Sequence, residues 1–348
     1  MIYLVGWGVL YFTLILNSLS GYRNRTFGFL AILLFASVAI FRGSTGTDTA
    51  SYESIFSELS LETIWDSVEP GFALLGLFLT EILGSAQAGV RAVSALFFLL
   101  IAFYYLQAER NEAFVLLTYF APAYFYIYSM NGLRIGIASI ILLLAIQALR
   151  RGHVLKGSAS MIIAIFFHYT ILFSIGYFII NFFNQIKLKY VLLLGLLILS
   201  FFYFANEYIS LKLSTYSDYE LPNELSGLSK VVVIFLLILG VLFSGLPSAL
   251  RIRIILSTLL FAGFAIAVTT FSYAGLRFLD LITFILPTVI LMFHFEAKQP
   301  FNWRMKLSFL VAGFASAATV YRGFLMEAHQ GESPFLPYEL LDFFKILW

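Results

Sequence analysis

The chain has no cysteine, which excludes disulfides, thiolate metal sites, haem attachment and cysteine nucleophiles. Charge is scarce too: Asp, Glu, Lys and Arg make up 11% of the 348 residues, against about 25% in a soluble domain. A water-soluble fold is thereby excluded. His-x-x-x-His, Asp-x-Asp, Gly-x-Ser-x-Gly and P-loop patterns are all missing, so no metal centre, nucleophile elbow, nucleotide site or other cofactor is expected. A net charge of +2 points neither to nucleic acid nor to a peripheral membrane binder. No internal repeat and no low-complexity tract occurs.

Hydrophobic residues make up 61% of the chain, and the mean hydropathy is +0.93. A bilayer core about 30 Å thick needs about 20 apolar residues per helix. Apolar segments near that length recur at 2–18, 26–41, 71–84, 89–107, 113–129, 132–149, 158–183, 190–205, 231–245, 254–271, 276–293 and 307–321. The first has no basic residue before it and no clear cleavage site, and reads as a retained helix. The expected fold is all-α: one polytopic membrane domain over 1–348 with about 10 to 12 transmembrane helices. Short re-entrant or broken helices would complete it around an outward-facing cavity.

Charge sets the expected orientation. Basic clusters at Arg23/Arg25, Arg110, Arg150/Arg151/Lys156, Lys187/Lys189, Arg251/Arg253 and Lys298/Arg304/Lys306 mark the cytoplasmic side. The loop 42–70 carries six acidic residues from Asp48 to Glu69 and, after Arg42, no basic one, so it belongs outside. If every segment crossed once, Arg150/Arg151/Lys156 would share its side. The 14-residue run 71–84, with Glu81 and a Gly84-Ser85 end, is therefore expected not to cross. A second correction, a bend near His168 within 158–183, places the loop 206–230 and the tail 322–348 outside with Arg42, Arg134, Arg277 and Arg322.

Arg42 opens a glycine-rich loop running to Asp48, and reads either as a snorkelling interfacial arginine or as a ligand contact. Glu69, before Pro70, reads locally as a residue favouring a helix N-terminus. Arg134 opens a helix whose next charge is Arg150. A charge at bilayer depth costs about 2.5–3.5 kcal/mol, so an arginine there is a functional-site hypothesis. Arg277 and Asp280 share a helix face and are able to pair with each other. Guanidinium groups suit bidentate phosphate contacts, and Arg42, Arg134 and Arg277 together would hold a diphosphate. His168 is a hydrogen-bonded packing residue or, at the bend, a general base.

These residues occur in a recognisable order: Arg42, Gly46-Thr47-Asp48, Tyr52, Glu69-Pro70-Gly71-Phe72, Asn131-Gly132-Leu133-Arg134, and Phe167-His168-Tyr169. Together they resemble the EpsG family of Wzy-like polysaccharide polymerases, over about residues 1–290, with Gly275-Leu276-Arg277-Phe278 similar to a later element. Thr49 stands where an aromatic is expected and Ile135 where glutamine is usual. The resemblance implies a glycosyltransferase at the periplasmic face of the bacterial inner membrane, acting in polysaccharide (O-antigen, exopolysaccharide or lipopolysaccharide) biosynthesis. Its substrate would be an undecaprenyl-diphosphate-linked oligosaccharide, and its partner a chain-length regulator in the same lipid bilayer. The site it implies has His168, Asp48 and Glu69 as catalytic groups, the three arginines on the diphosphate, and Tyr52, Asn131, Tyr169 and Asp280 on sugar. An O-antigen ligase, a membrane acyltransferase and a lipid-linked sugar flippase or transporter are the rival readings.

Overall fold

A computed structural model describes residues 2–19, 25–64, 68–182, 226–329 and 335–341. These are helical throughout except for turns and one isolated antiparallel bridge between Arg42 and Leu340. Among the described residues, six helices are long and apolar enough to cross a membrane, by length and composition, and several apolar helices are shorter. The expected span 190–205 and nearly all of the loop 206–230 lie outside the described residues. The chain divides into two compact units, Met1–Ile171 with Lys306–Trp348, and Leu172–Met305.

The first unit is built around a helix that is apolar and aromatic on every side and is therefore buried by its neighbours. This helix, Arg110–Asn131, is labelled α6; α1 (Ile2–Leu19), α2 (Thr26–Ile40), α3 (Thr49–Glu58), α4 (Pro70–Leu83) and α5 (Ala86–Gln107) precede it. Trp7 on α1 donates to the Pro122 carbonyl at 3.2 Å, and Phe35 on α2 meets Phe125 edge-on at 5.5 Å. Two stretches of α6, Leu116–Phe120 and Ile127–Asn131, are wound as π-helix. The helices α7 (Leu133–Arg150) and α8 (Val154–Phe167) follow as an antiparallel pair, with Gly157 packed on Leu149.

The short run 71–84 forms α4. Arg25, at the start of α2, donates to the carbonyls of Tyr105 and Ala108 at the end of α5, while Arg91, near the start of α5, donates to the Arg42 carbonyl at 3.1 Å. The beginning of α5 therefore lies at the Arg42 end of the unit. A tight turn at Gly84-Ser85 joins α4 to α5, and Phe56 on α3 packs against Gly76 of α4 and Gly89 of α5. The 42–64 segment and the exit of α4 thus share one end of the unit.

The acidic loop is not irregular throughout, since α3 occupies its middle. The 158–183 run is broken at His168, between α8 and α9 (Ile171–Phe182). In the second unit α12 (Ala274–Glu296) is the most buried helix, packed by α10 (Leu228–Leu242) and α11 (Ser248–Thr269). Tyr177 of α9 hydrogen-bonds Thr258 of α11 at 2.7 Å. The last helix, α13 (Trp303–His329), extends past residue 322, where the sequence suggested a tail had already begun. Its apolar pattern weakens there, but no proline or glycine after Gly323 stops the helix before 329.

Candidate functional site

Glu69, Arg134 and His168 come together in the first unit from segments 65 and 99 residues apart in sequence. Glu69 precedes a proline, which disfavours helical backbone, and it adopts ψ 132° while Pro70 opens α4. The Glu69 carbonyl accepts from the Phe72 and Ala73 amides, both at 3.0 Å, which fixes the side chain at the helix start. Arg134 is the second residue of α7, directly after the π-wound end of α6. His168 sits in extended backbone just beyond α8, with its amide still bonded to the Ala164 carbonyl at 3.1 Å.

The carboxylate of Glu69 is 1% exposed and uses both oxygens: Oε1 lies 2.7 Å from His168 Nδ1 and Oε2 2.7 Å from Arg134 Nη1. Burial pushes this carboxyl upward, but His168 and Arg134 outweigh it and hold the group down at about 2. An ionised carboxylate can only accept, so His168 Nδ1 carries the proton and Nε2 is left as the acceptor. This is the arrangement of a base held by an orienting anion. Burial pushes the Tyr52 hydroxyl up, and Arg134 and Asp48 both lie close enough to act on its ionisation. The Tyr169 hydroxyl is pushed up to about 12, by burial and then by the nearby Glu69 charge.

Close approach of two helices makes this possible. A Cβ on Gly71 would stand 2.8 Å from the Phe166 carbonyl, so only glycine lets the start of α4 touch the end of α8. Gly71→Val should push Glu69 away from His168 by about 1 Å, a misplacement that costs a reacting site about 10²-fold. Activity and thermal stability of purified Gly71→Ala and Gly71→Val proteins would check this; no loss in the valine variant would dissociate the contact from activity.

The expectation that Arg42 grips a diphosphate does not fit the structure. Its side chain is 0% exposed and all its nitrogens are engaged: Nε donates to Thr49 Oγ1 at 3.4 Å, Nη1 to Ser94 Oγ at 2.9 Å, to the Ser129 carbonyl at 3.2 Å and to the Ala39 carbonyl, and Nη2 to the Met130 carbonyl at 3.4 Å. A guanidinium placed on the last carbonyls of α6 satisfies acceptors that the helix itself leaves open. Arg42 is a pin, not a ligand contact. Thr49, where an aromatic was expected, is one of its partners. Asn131, expected on sugar, accepts from the Asp48 amide at 3.1 Å and so holds the Arg42 loop. Gly46, at φ 114°, provides the left-handed turn that lets this loop sit on Met130 and Asn131.

Arg277 and Asp280 belong to the second unit, near the start of α12. Arg277 is exposed there, and Asp280 pairs with Lys230. Arg91 was missed in the sequence; it donates to the carbonyls of Arg42 and Gly43 and to Glu53 at 2.6 Å. The signal was available, since it is the one charge in the apolar run 89–107. Among the described residues, no three His, Asp or Glu side chains gather as metal ligands.

No curated protein and no solved structure matches the chain. The model of the EpsG family does, over residues 25–340, so the similarity continues some fifty residues beyond the 1–290 expected and takes in α13 and the segment after it. The chain belongs to the EpsG family.

Proposed function

We propose that the protein is a polysaccharide polymerase that transfers a growing glycan from its lipid diphosphate to a hydroxyl of the next lipid-linked repeat, at the outer face of the cytoplasmic membrane. The observation that carries this reading is the buried Glu69 carboxylate held between His168 and Arg134, inside a chain of this family. His168 Nε2 takes the proton of the attacking hydroxyl while Glu69 holds Nδ1–H and the imidazolium that forms. The hydroxyl oxygen forms the new bond to the anomeric carbon. The bond from that carbon to the diphosphate breaks, and its electron pair leaves with the phosphate. Arg134, held by Glu69, presents its guanidinium to the charge that develops there. Glu69, with its affinity for protons so lowered, is a poor base and serves to orient. Asp48 and Tyr169 border the same cluster and are the proposed contacts for sugar hydroxyls.

Purified protein supplied with undecaprenyl-diphosphate-linked repeats should yield glycans of two or more repeats together with free lipid diphosphate. His168→Ala should slow this about 10²-fold without loss of thermal stability. Transfer only to a foreign acceptor would identify a ligase, and movement of the lipid without bond formation a transporter. Elongation at the wild-type rate by His168→Ala would remove the histidine from the mechanism.

A further inference from the structure

Residues 335–341 carry none of the features that drew attention to the site, yet they are tied to the Arg42 loop at several points. The Gly43 amide donates to the Glu339 carbonyl at 2.7 Å and the Leu341 amide to the Phe41 carbonyl at 3.0 Å, making the Arg42–Leu340 bridge. The Glu339 amide donates to Thr45 Oγ1 at 2.9 Å, and Ser44 Oγ donates to the Glu339 carboxylate. Tyr338 donates to the Val38 carbonyl at 2.7 Å. The near end is anchored as well: Phe335 stacks on Phe324 at 4.1 Å and its carbonyl accepts from Tyr3 at 3.2 Å.

Thr45 passes this restraint inward. Its carbonyl accepts from Thr49 Oγ1 at 2.8 Å, and the same Thr49 oxygen accepts from buried Arg42 at 3.4 Å. Thr49 opens α3, and one turn later on the same helix Tyr52 lies near enough to Arg134 to feel its charge. Contacts therefore link Glu339 through Thr45 and Thr49 to the start of α3, whose Tyr52 stands near the guanidinium that Glu69 holds.

We propose that the C-terminal segment is a strap, with Glu339 acting through Thr45 as a positioning residue that sets the start of α3 and so the orientation of Arg134. The proposal rests on the glycosyl-transfer reading above. The strap touches no substrate. Its effect passes through Tyr52 and Arg134 and leaves the pairing of His168 with Glu69 intact.

Thr45→Val keeps the side-chain shape but leaves the Glu339 amide without its acceptor, and Thr45→Ser restores it. Two measurements on the full-length protein test the strap. Amide hydrogen exchange over residues 42–58, which needs no activity, should quicken roughly three- to tenfold in Thr45→Val, the scale of one hydrogen bond, and return in Thr45→Ser. The kcat for elongation should fall about tenfold in Thr45→Val, recover in Thr45→Ser, and fall no further when Thr45→Val is added to Arg134→Lys, whereas it should add fully to His168→Ala. Unchanged exchange over 42–58, quickened exchange with unchanged kcat, or a full additional loss on Arg134→Lys would each overturn the proposal. A wild-type protein that does not elongate would instead refute the polymerase reading, and that shows before any variant is compared.

Discussion

Glu69→Gln protein should insert and accumulate like the wild type yet elongate glycan on the order of 10³–10⁴ times more slowly, the scale seen when the carboxylate orienting a catalytic histidine becomes an amide. Both Glu69 oxygens accept from donors, His168 Nδ1 and Arg134 Nη1, each at 2.7 Å. An amide of the same size has one acceptor and one donor group, so one of those contacts becomes donor against donor. Either His168 changes tautomer and loses its free Nε2 acceptor, or Arg134 loses the anion that holds it. Glu69→Asp keeps the charge but is shorter by one methylene and should reach only one partner, giving an intermediate rate. Initial rates on purified lipid-linked repeats would decide, and a glutamine variant within tenfold of wild type would end the case for the pair.

The acid limb of the pH profile separates Glu69 from the other groups. Its carboxyl is held at about 2 in the folded protein against an ordinary 4.5, and a lowered value stabilises the fold above the ordinary one. That contribution is complete above about 4.5 and is lost only as pH falls through about 2. At neutral pH Glu69 is ionised.

Arg42→Ala should act in the opposite way, with a large loss of stability and protein level and no folded, inactive species. The substitution strips hydrogen bonds from the buried carbonyls of Ala39, Ser129 and Met130 and from Thr49. Removing one partner of a buried charged arrangement costs about 3–5 kcal/mol, and a loss of that size lowers a melting midpoint by roughly 10 °C. Arg42→Lys keeps the charge, but three donors on a flexible stem cannot reproduce the spread of the guanidinium fork, so a partial loss is expected. Thermal unfolding in detergent together with membrane levels reads both variants. A stable Arg42→Ala protein with wild-type accumulation would return Arg42 to the list of ligand contacts.

Arg42 and Arg134 looked alike in the sequence, as arginines beside apolar runs and next to glycine. Sequence reports charge but not depth or direction, and the difference lies in what surrounds them: helix-end carbonyls for one, a carboxylate and a tyrosine for the other. The break at His168 was legible because it follows from length and charge parity, which are properties of the chain itself. Glu69 was read as a helix-start residue, correctly as to place, but its partners lie 65 and 99 positions away and no local pattern announces them. The strap was invisible for the same reason, since its bonds to the Arg42 loop span nearly 300 residues and most use backbone atoms, which have no sequence signature.

The π-wound end of α6 holds one more residue than an α-helical turn spanning the same gap. Such a turn is a stored insertion, and releasing it would rotate everything beyond it by about 100°. Asn131 is the last residue of that stretch, and the Arg134 turn begins just after it. A slip of one residue would therefore swing the Asn131 side chain away from the Asp48 amide and turn the Ser129 and Met130 carbonyls off Arg42. The pin thus does more than satisfy acceptors: by gripping those two carbonyls it selects one winding of the central helix over its neighbour.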